Sequence, residues 1–166
     1  MRRAAIEAEL RARVRHVIPT AQIYFPRKRM FRAGYSWNGK HLRPTGETLE
    51  SQCHEVAHLL LAPAHRRGDP EFGLGPDPYR RMFVPLTCSE EEAAREELDA
   101  CTMQLLLVRL LGLDEAAVIL EVKTTPPTAA RVRELRARYP WALPDDWWDR
   151  ALESCEADGK VPRRET

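Results

Sequence analysis

The sequence predicts an α+β fold that is mostly helical, with a short antiparallel sheet packed beside a helix that carries an H-E-x-x-H motif. Apolar residues recur at helical spacing in several segments. Between two of these segments lie short aromatic, β-rich stretches that Pro26 and Asn38-Gly39 interrupt. A length of 166 residues suits one core. We expect a single domain over residues 1–156 and a frayed tail over residues 157–166.

The first three helices are predicted from their apolar stripes and end signals. Residues 4–18 form an amphipathic pattern that Pro19 ends. A second helix begins near Thr48 and is closed by Pro63. A third runs from about residue 90 to residue 111, because Ser89 and Glu92 have the spacing of a capping box. Gly112 suits its C-terminal cap.

Shorter elements complete the prediction. Three further helices are expected to open at Asp114, at Thr125-Pro126-Pro127, and at Asp145 or Asp146. The strands are expected at Ile23–Phe25 and Met30–Trp37, with a hairpin at Asn38-Gly39 that continues to Leu42. Residues 64–88 are rich in Gly and Pro and read as a long loop, which inside a compact domain is usually functional.

Composition excludes several classes of protein. No apolar stretch approaches the roughly 20 residues that a membrane span needs. The N-terminus lacks the apolar segment of a signal peptide, so the expected compartment is the cytoplasm. The four cysteines are widely spaced and are expected to be free thiols, with Cys53 and Cys101 in the core.

Charge is unevenly distributed. Residues 1–44 carry eleven Lys and Arg against two Glu, a net of +9, while the whole chain is +1 and the remainder therefore −8. This asymmetry allows an acidic or nucleic-acid-associated partner at the N-terminal end. The other interpretation is a solvated basic helix followed by a basic strand edge that discourages edge pairing.

The motif that carries chemistry is His54-Glu55-Val56-Ala57-His58. Residues four apart lie on one helix face, so both imidazoles can reach one metal ion. Glu55 lies beside that face, where its carboxylate can act on a metal-bound water. Neutral imidazole suits both zinc and iron(II). We therefore expect one divalent metal ion, held by His54 and His58.

The third ligand is predicted on the next long helix. His65 is less suitable because Pro63 ends the motif helix and the H-E-x-x-H-x-x-G-x-x-H spacing is absent. Glu97 is the best placed carboxylate, since its face continues through Cys101 and Leu105, and Glu96 is the alternative. Two residues beyond Glu97, Asp99 is a candidate hydrogen-bond partner for a ligating histidine.

These residues resemble two families. The motif together with Glu97-Leu98-Asp99 resembles compact gluzincin-type metallopeptidases, which have a zincin-like fold. A longer resemblance, from about Tyr24 to Leu152, is to the bacterial elongation factor P hydroxylases. It rests on Ala62, Arg66-Arg67 and Glu71-Phe72-Gly73 after the motif, and on Glu97 fifteen residues before Gly112. The chain departs from that pattern at Leu74-Gly75-Pro76.

Arg66 and Arg67 have two interpretations. Their guanidinium groups can bind a carboxylate or another anion of the substrate. They can equally pair with the acidic start of the third helix and fix the loop. Phe72-Gly73 is expected to pack the loop, and the tryptophans near the C-terminus are expected in the core or at its edge.

Three hypotheses follow from this site. The hydroxylase resemblance implies an iron enzyme that acts on a protein side chain. The same ligands suit a zinc-dependent peptidase in which Glu55 takes a proton from metal-bound water. The third is a binding protein with a structural metal, whose fourth ligand would be His65, Cys88 or another Glu.

Overall fold

The computed structural model describes residues 2–26, 36–44, 48–75 and 84–160, which are mostly helical. In chain order the elements are α1 (Arg3–Val17), β1 (Gln22–Ile23), β2 (His41–Leu42), α2 (Leu49–Leu61), α3 (Glu90–Leu110), α4 (Glu115–Val122), α5 (Ala129–Arg138) and α6 (Asp145–Lys160). The predicted order of six helices is confirmed. Helix α6 continues four residues into the segment predicted as a tail, and residues 161–166 lie outside the described part. In the described part of the chain, no helix combines the length and apolarity that crossing a membrane requires.

Local side-chain caps fix where the helices begin. Thr48 and Ser51 form a capping box at α2, and Ser89 and Glu92 form the predicted one at α3. The Asp114 carboxylate accepts from the Ala117 amide at the start of α4. Helix α5 begins later than predicted, because the hydroxyl of Thr128 caps it by accepting from the Arg131 amide.

The sheet differs from the prediction in direction. Strands β1 and β2 are parallel, with Gln22 opposite His41 and Ile23 opposite Leu42. The predicted turn at Asn38-Gly39 is present, but it yields one antiparallel bridge between Trp37 and Leu42. Strand β2 therefore runs in the same direction as β1. The expectation of an antiparallel sheet is wrong. The predicted strand residues 30–35 lie outside the described part.

A buried apolar cluster joins the helices, and α2 is at its centre. Helix α2 packs most extensively against α3 and also contacts α1 and α4. From Val56 to Ala62 every residue of α2 and its C-cap is buried. Trp147 and Trp148 on α6 are buried in the same cluster, as predicted, while Trp141 lies partly exposed. The pair α2 and α3 therefore forms the rigid base on which the candidate site is built.

Two short 3-10 segments follow α2, Ala64–Arg66 and Pro70–Gly73. In the second, Glu71 and Phe72 have φ values of 47° and 57°, which non-glycine residues adopt rarely and at a cost. Two hydrogen bonds stabilise this conformation, because the Glu71 carboxylate accepts them from the amide and the hydroxyl of Ser36. As a result Phe72 is buried and stacks on Trp37, with ring centroids 5.6 Å apart. Phe72 thus packs the loop, as predicted.

Candidate metal site

His54 and His58 lie one turn apart on α2 with their Nε2 atoms facing each other. The two Nε2 atoms are 3.2 Å apart. The side chain of His54 is 25% exposed and that of His58 is 8% exposed. The i, i+4 spacing of the motif therefore produces the convergence that it predicts.

Glu97 on α3 completes the cluster. Its Oε1 lies 3.2 Å from Nε2 of His54 and its Oε2 lies 3.1 Å from Nε2 of His58. The side chain of Glu97 is 54% exposed, so the cluster is open to solvent on this side. His54, His58 and Glu97 form a group that can hold a metal ion. Of the two carboxylates considered, Glu97 is the one that lies with the histidines.

The spacing of these atoms fits metal coordination. Two ligands bonded at about 2.1 Å to one metal ion lie about 3.4 Å apart in a tetrahedral site and about 3.0 Å apart in an octahedral one. The two Nε2 atoms are 3.2 Å apart, which lies between these values, and each lies 3.1 to 3.2 Å from a different oxygen of Glu97. In addition, two unprotonated imidazole nitrogens at this distance repel, so either a proton or a cation is required between them. The geometry suits a divalent cation without selecting zinc or iron.

The ionisation of the site couples the histidines to the carboxylate. Burial by itself lowers the pKa of His54, but hydrogen bonds with Cys101 and Glu97 outweigh it and raise the pKa to about 10. Hydrogen bonds with His54 and His58 hold the pKa of Glu97 far below its usual value. Glu97 is therefore a carboxylate, the form that binds a metal, and a cation at this site competes with a proton on His54.

Glu55 is half-buried beside the cluster. Its negative charge is near enough to His54 to contribute to the raised pKa of that imidazole. The carboxylate thus lies near His54, and its action on a metal-bound water stays a prediction.

The side chain of Arg66 is buried, and its guanidinium group contacts other residues of the protein. It is 5% exposed and donates to the carboxylate of Glu96, to the carbonyl of Phe72 and to the thiol of Cys88. Glu96, the alternative third ligand, is buried and occupied by this ion pair. Arg67 donates to the backbone carbonyls of Ala62 and Val17. These contacts favour the loop-fixing interpretation for Arg66, whereas Arg67 joins the loop to backbone carbonyls of α1 and the end of α2 and not to the acidic start of α3.

Asp99 does not contact a ligating histidine in the described part of the chain, contrary to the prediction. Its buried carboxylate accepts from Arg131, Arg138 and Tyr139, and so joins α3 to α5. The physical reason is helical geometry: residues two apart point to nearly opposite sides, so Glu97 and Asp99 cannot face the same partner.

Gln104, and not Asp99, is the residue of α3 that contacts the second ring nitrogen of a candidate ligand. Its Oε1 lies 3.2 Å from Nδ1 of His54. Sequence reasoning missed it, although a signal existed, since Glu97, Cys101 and Gln104 are spaced i, i+4 and i+7 on one face of α3. Cys101 lies on that face and is half-buried, in contrast to the fully buried Cys53. No disulfide is present in the described part of the chain, as predicted.

His58 is held by apolar packing. Its ring stacks on Phe72, with centroids 6.0 Å apart and an interplanar angle of 18°. Phe72 in turn stacks on Trp37, so the loop after α2 forms a wall on one side of the site. The buried Nδ1 of His58 has no hydrogen-bond partner among the described residues.

The proposed fourth ligands lie outside the cluster. His65 is exposed, and the thiol of Cys88 contacts Arg66 and the carbonyl of Gly73 instead. Within the described residues the group therefore offers three protein ligands. Three ligands leave a coordination position for water or substrate.

No protein-family model, curated protein sequence or solved structure matches the chain. Its class is thus defined by its own residues, as a mostly helical protein with a candidate His-His-Glu metal site.

Proposed function

We propose that this protein is a metal-dependent enzyme in which His54, His58 and Glu97 bind one divalent metal ion. The observation that carries the proposal is the convergence of two imidazoles and one carboxylate from two helices: the two Nε2 atoms are 3.2 Å apart, and each lies 3.1 to 3.2 Å from one oxygen of Glu97. The half-exposed Glu97 leaves one side accessible to a substrate. A site with three ligands and an open position is typical of catalytic rather than structural metals.

The first candidate reaction is hydroxylation of a protein side chain. Two histidines and one carboxylate are also the ligand set of non-haem iron oxygenases. The resemblance to elongation factor P hydroxylases supports this candidate, because it extends from the motif through Arg66-Arg67 and Phe72-Gly73. Iron(II) in this site would supply dioxygen activation, with a reductant as co-substrate.

The second candidate is zinc-dependent hydrolysis of a peptide, with a zincin-like arrangement of the motif helix. Its support is Glu55, the half-buried carboxylate next to His54 in the motif, whose charge adds to the larger effects of Cys101 and Glu97 on the pKa of that imidazole. A carboxylate at that position can accept a proton from a metal-bound water, as general base catalysis of amide hydrolysis requires. Hydroxylation with dioxygen does not require attack by a metal-bound water, so this role of Glu55 belongs to the hydrolysis candidate.

A structural metal in a binding protein is the weaker alternative. It needs a fourth protein ligand, and neither His65 nor Cys88 lies in the cluster that the described residues form. Loss of the fold on chelation, together with a closed coordination shell, would support this alternative instead.

The deciding experiment is elemental analysis of protein purified anaerobically without chelators or an affinity metal. Glu97→Ala is expected to lose the metal, whereas Glu91→Ala, which removes an exposed carboxylate from the same helix, is expected to keep it. One equivalent of iron favours hydroxylation and one equivalent of zinc favours hydrolysis. Absence of metal from the wild-type protein refutes the proposal.

Glu55→Gln then separates the two reactions. For a zinc hydrolase the substitution should retain the metal and lower kcat by about 100- to 10,000-fold, the usual contribution of a general base. For a hydroxylase it should leave turnover within a few-fold. Peptide cleavage that persists in this variant would contradict the hydrolytic mechanism.

The basic N-terminal region remains a candidate surface for an acidic or nucleic-acid-associated partner, and cytoplasmic location remains a prediction. Some arginines of this region form ion pairs with glutamates of the same helix. Arg3 and Arg11 pair with Glu7, and Arg13 pairs with Glu9, on the same helix. These pairs support the interpretation of α1 as a solvated basic helix.

A further inference from the structure

A buried glutamine contacts Nδ1 of His54, the ring nitrogen that does not face the other candidate ligands. Gln104 is 1% exposed and lies in a run of buried residues on α3. Burying an amide costs free energy unless each of its polar atoms has a partner. Both do: Oε1 lies 3.2 Å from Nδ1 of His54, and Nε2 donates to the carbonyl of Glu50 at 3.0 Å.

The second hydrogen bond fixes which way the amide points. The carbonyl of Glu50 can only accept, so the NH₂ group of Gln104 must face it. The amide oxygen therefore faces His54. Since an amide oxygen only accepts, Nδ1 of His54 must carry the hydrogen of this bond.

A hydrogen on Nδ1 has a direct consequence for metal binding. In a neutral imidazole with a hydrogen on Nδ1, the lone pair is on Nε2. That atom points at Nε2 of His58 and at the carboxylate of Glu97. The arrangement aims the metal-binding lone pair of His54 into the cluster.

We infer that Gln104 is a positioning residue, which holds the ring and the tautomer of His54 for metal binding. The inference rests on the proposed function, because it requires a metal at the site. His58 provides the internal contrast, since its ring stacks on Phe72 and its Nδ1 has no partner among the described residues. One ligand is thus oriented by a hydrogen-bonded chain from Glu50 and the other by apolar packing.

The test compares zinc affinities, measured by competition with a chromophoric chelator. Gln104→Met keeps the approximate volume of the side chain but removes the acceptor, and it is expected to weaken zinc binding about 10- to 100-fold. Gln104→Glu restores an acceptor for Nδ1–H but removes the donor to the Glu50 carbonyl, so it is expected to recover only part of that loss. Met103→Leu is the control, since it alters a neighbouring buried residue on α3 and should leave affinity unchanged.

The outcomes separate this inference from the function on which it rests. If the wild-type protein binds no zinc, both fail. If the wild-type protein and Gln104→Met bind zinc equally tightly, only the role of Gln104 is overturned. An equal loss in Gln104→Met and Met103→Leu would also overturn it, because the effect would then be general packing.

A spectroscopic measurement covers the case in which Gln104→Met fails to fold. In the zinc-loaded wild-type protein, the Nδ1–H proton of His54 should give a resolved NMR resonance that exchanges slowly with water. It should also show a nuclear Overhauser contact to the side chain of Gln104. A rapidly exchanging proton, or a hydrogen on Nε2 instead, would overturn the inference.

Discussion

Replacing Arg66 with methionine should destabilise the protein and make its stability depend on the protonation of Glu96. The side chains of this ion pair are only 6% and 4% exposed. Burial raises the pKa of Glu96 more than the charge and hydrogen bond of Arg66 lower it, so the pKa of this carboxyl lies above its ordinary value. Its Oε1 has no hydrogen-bond partner among the described residues. Removing Arg66 therefore takes away the guanidinium group that compensates the charge of this buried carboxylate.

The magnitude follows from the two contacts that are lost. Removing one partner of a buried pair typically costs about 3 to 5 kcal/mol. The lost hydrogen bond to the Phe72 carbonyl adds about 1 kcal/mol. Glu96 can limit the cost by taking up a proton, because its pKa rises further once Arg66 is gone. We expect a decrease in the free energy of unfolding of about 3 to 5 kcal/mol at neutral pH.

The pH dependence has a definite sign. A carboxyl whose pKa is higher in the folded than in the unfolded state binds more protons when folded. Its protonation therefore stabilises the fold as the pH falls, so the difference between Arg66→Met and wild type should shrink. The measurement extends down to about pH 5, above the ordinary Glu pKa of about 4.3.

Urea unfolding followed by circular dichroism at several pH values tests this reasoning. The control is Arg67→Met, which removes a neighbouring guanidinium that donates to two backbone carbonyls, and whose effect should vary little with pH. The double variant Arg66→Met/Glu96→Met should recover most of the lost stability. Wild-type stability in Arg66→Met across this pH range would refute the loop-fixing role of Arg66.

Three further substitutions test other parts of the fold. Phe72→Ala removes a buried ring between Trp37 and His58, so it should cost about 3 to 5 kcal/mol in urea unfolding and weaken zinc binding; unchanged affinity would show that the stack does not orient His58. Asp99→Asn removes the charge that Arg131 and Arg138 share, and hydrogen exchange should become faster in α5; equal protection would contradict its role in joining α3 to α5. Ser89→Ala breaks the capping box and should cost about 1 kcal/mol, a loss that unfolding curves resolve; no loss would mean that the cap contributes nothing.

Local features of this protein were predictable from the sequence because they depend on nearby residues. The caps at Ser89 and Asp114 need only a side-chain oxygen and an amide three residues away. The same applies to His54 and His58, because helix geometry alone brings residues four apart onto one face. Glu97 was the first of two candidates from the sequence, and within the described residues it is the one that lies with the histidines, although Glu96 is the more buried of the two.

Contacts between distant segments explain the failed expectations. The parallel pairing of β1 and β2 depends on how the intervening chain returns, which no local pattern encodes. Asp99 could not be assigned to Arg131 and Arg138 because those residues lie more than thirty positions away. The sequence left pairing of Arg66 with the acidic start of α3 as one of two interpretations, and only the tertiary structure shows the ion pair with Glu96.

The sequence by itself determined the order of the helices, the caps at Ser89 and Asp114, and two histidine ligands with a choice between Glu97 and Glu96, because hydrogen bonds and side-chain spacing within one turn suffice for these. Only the tertiary structure decided that α2 and α3 bring Glu97 within 3.2 Å of both histidines. It also decided that Gln104 lies behind His54, and that Phe72 covers His58. The physical reason is that these contacts arise from the packing of whole helices and loops, whose relative positions depend on the entire buried core.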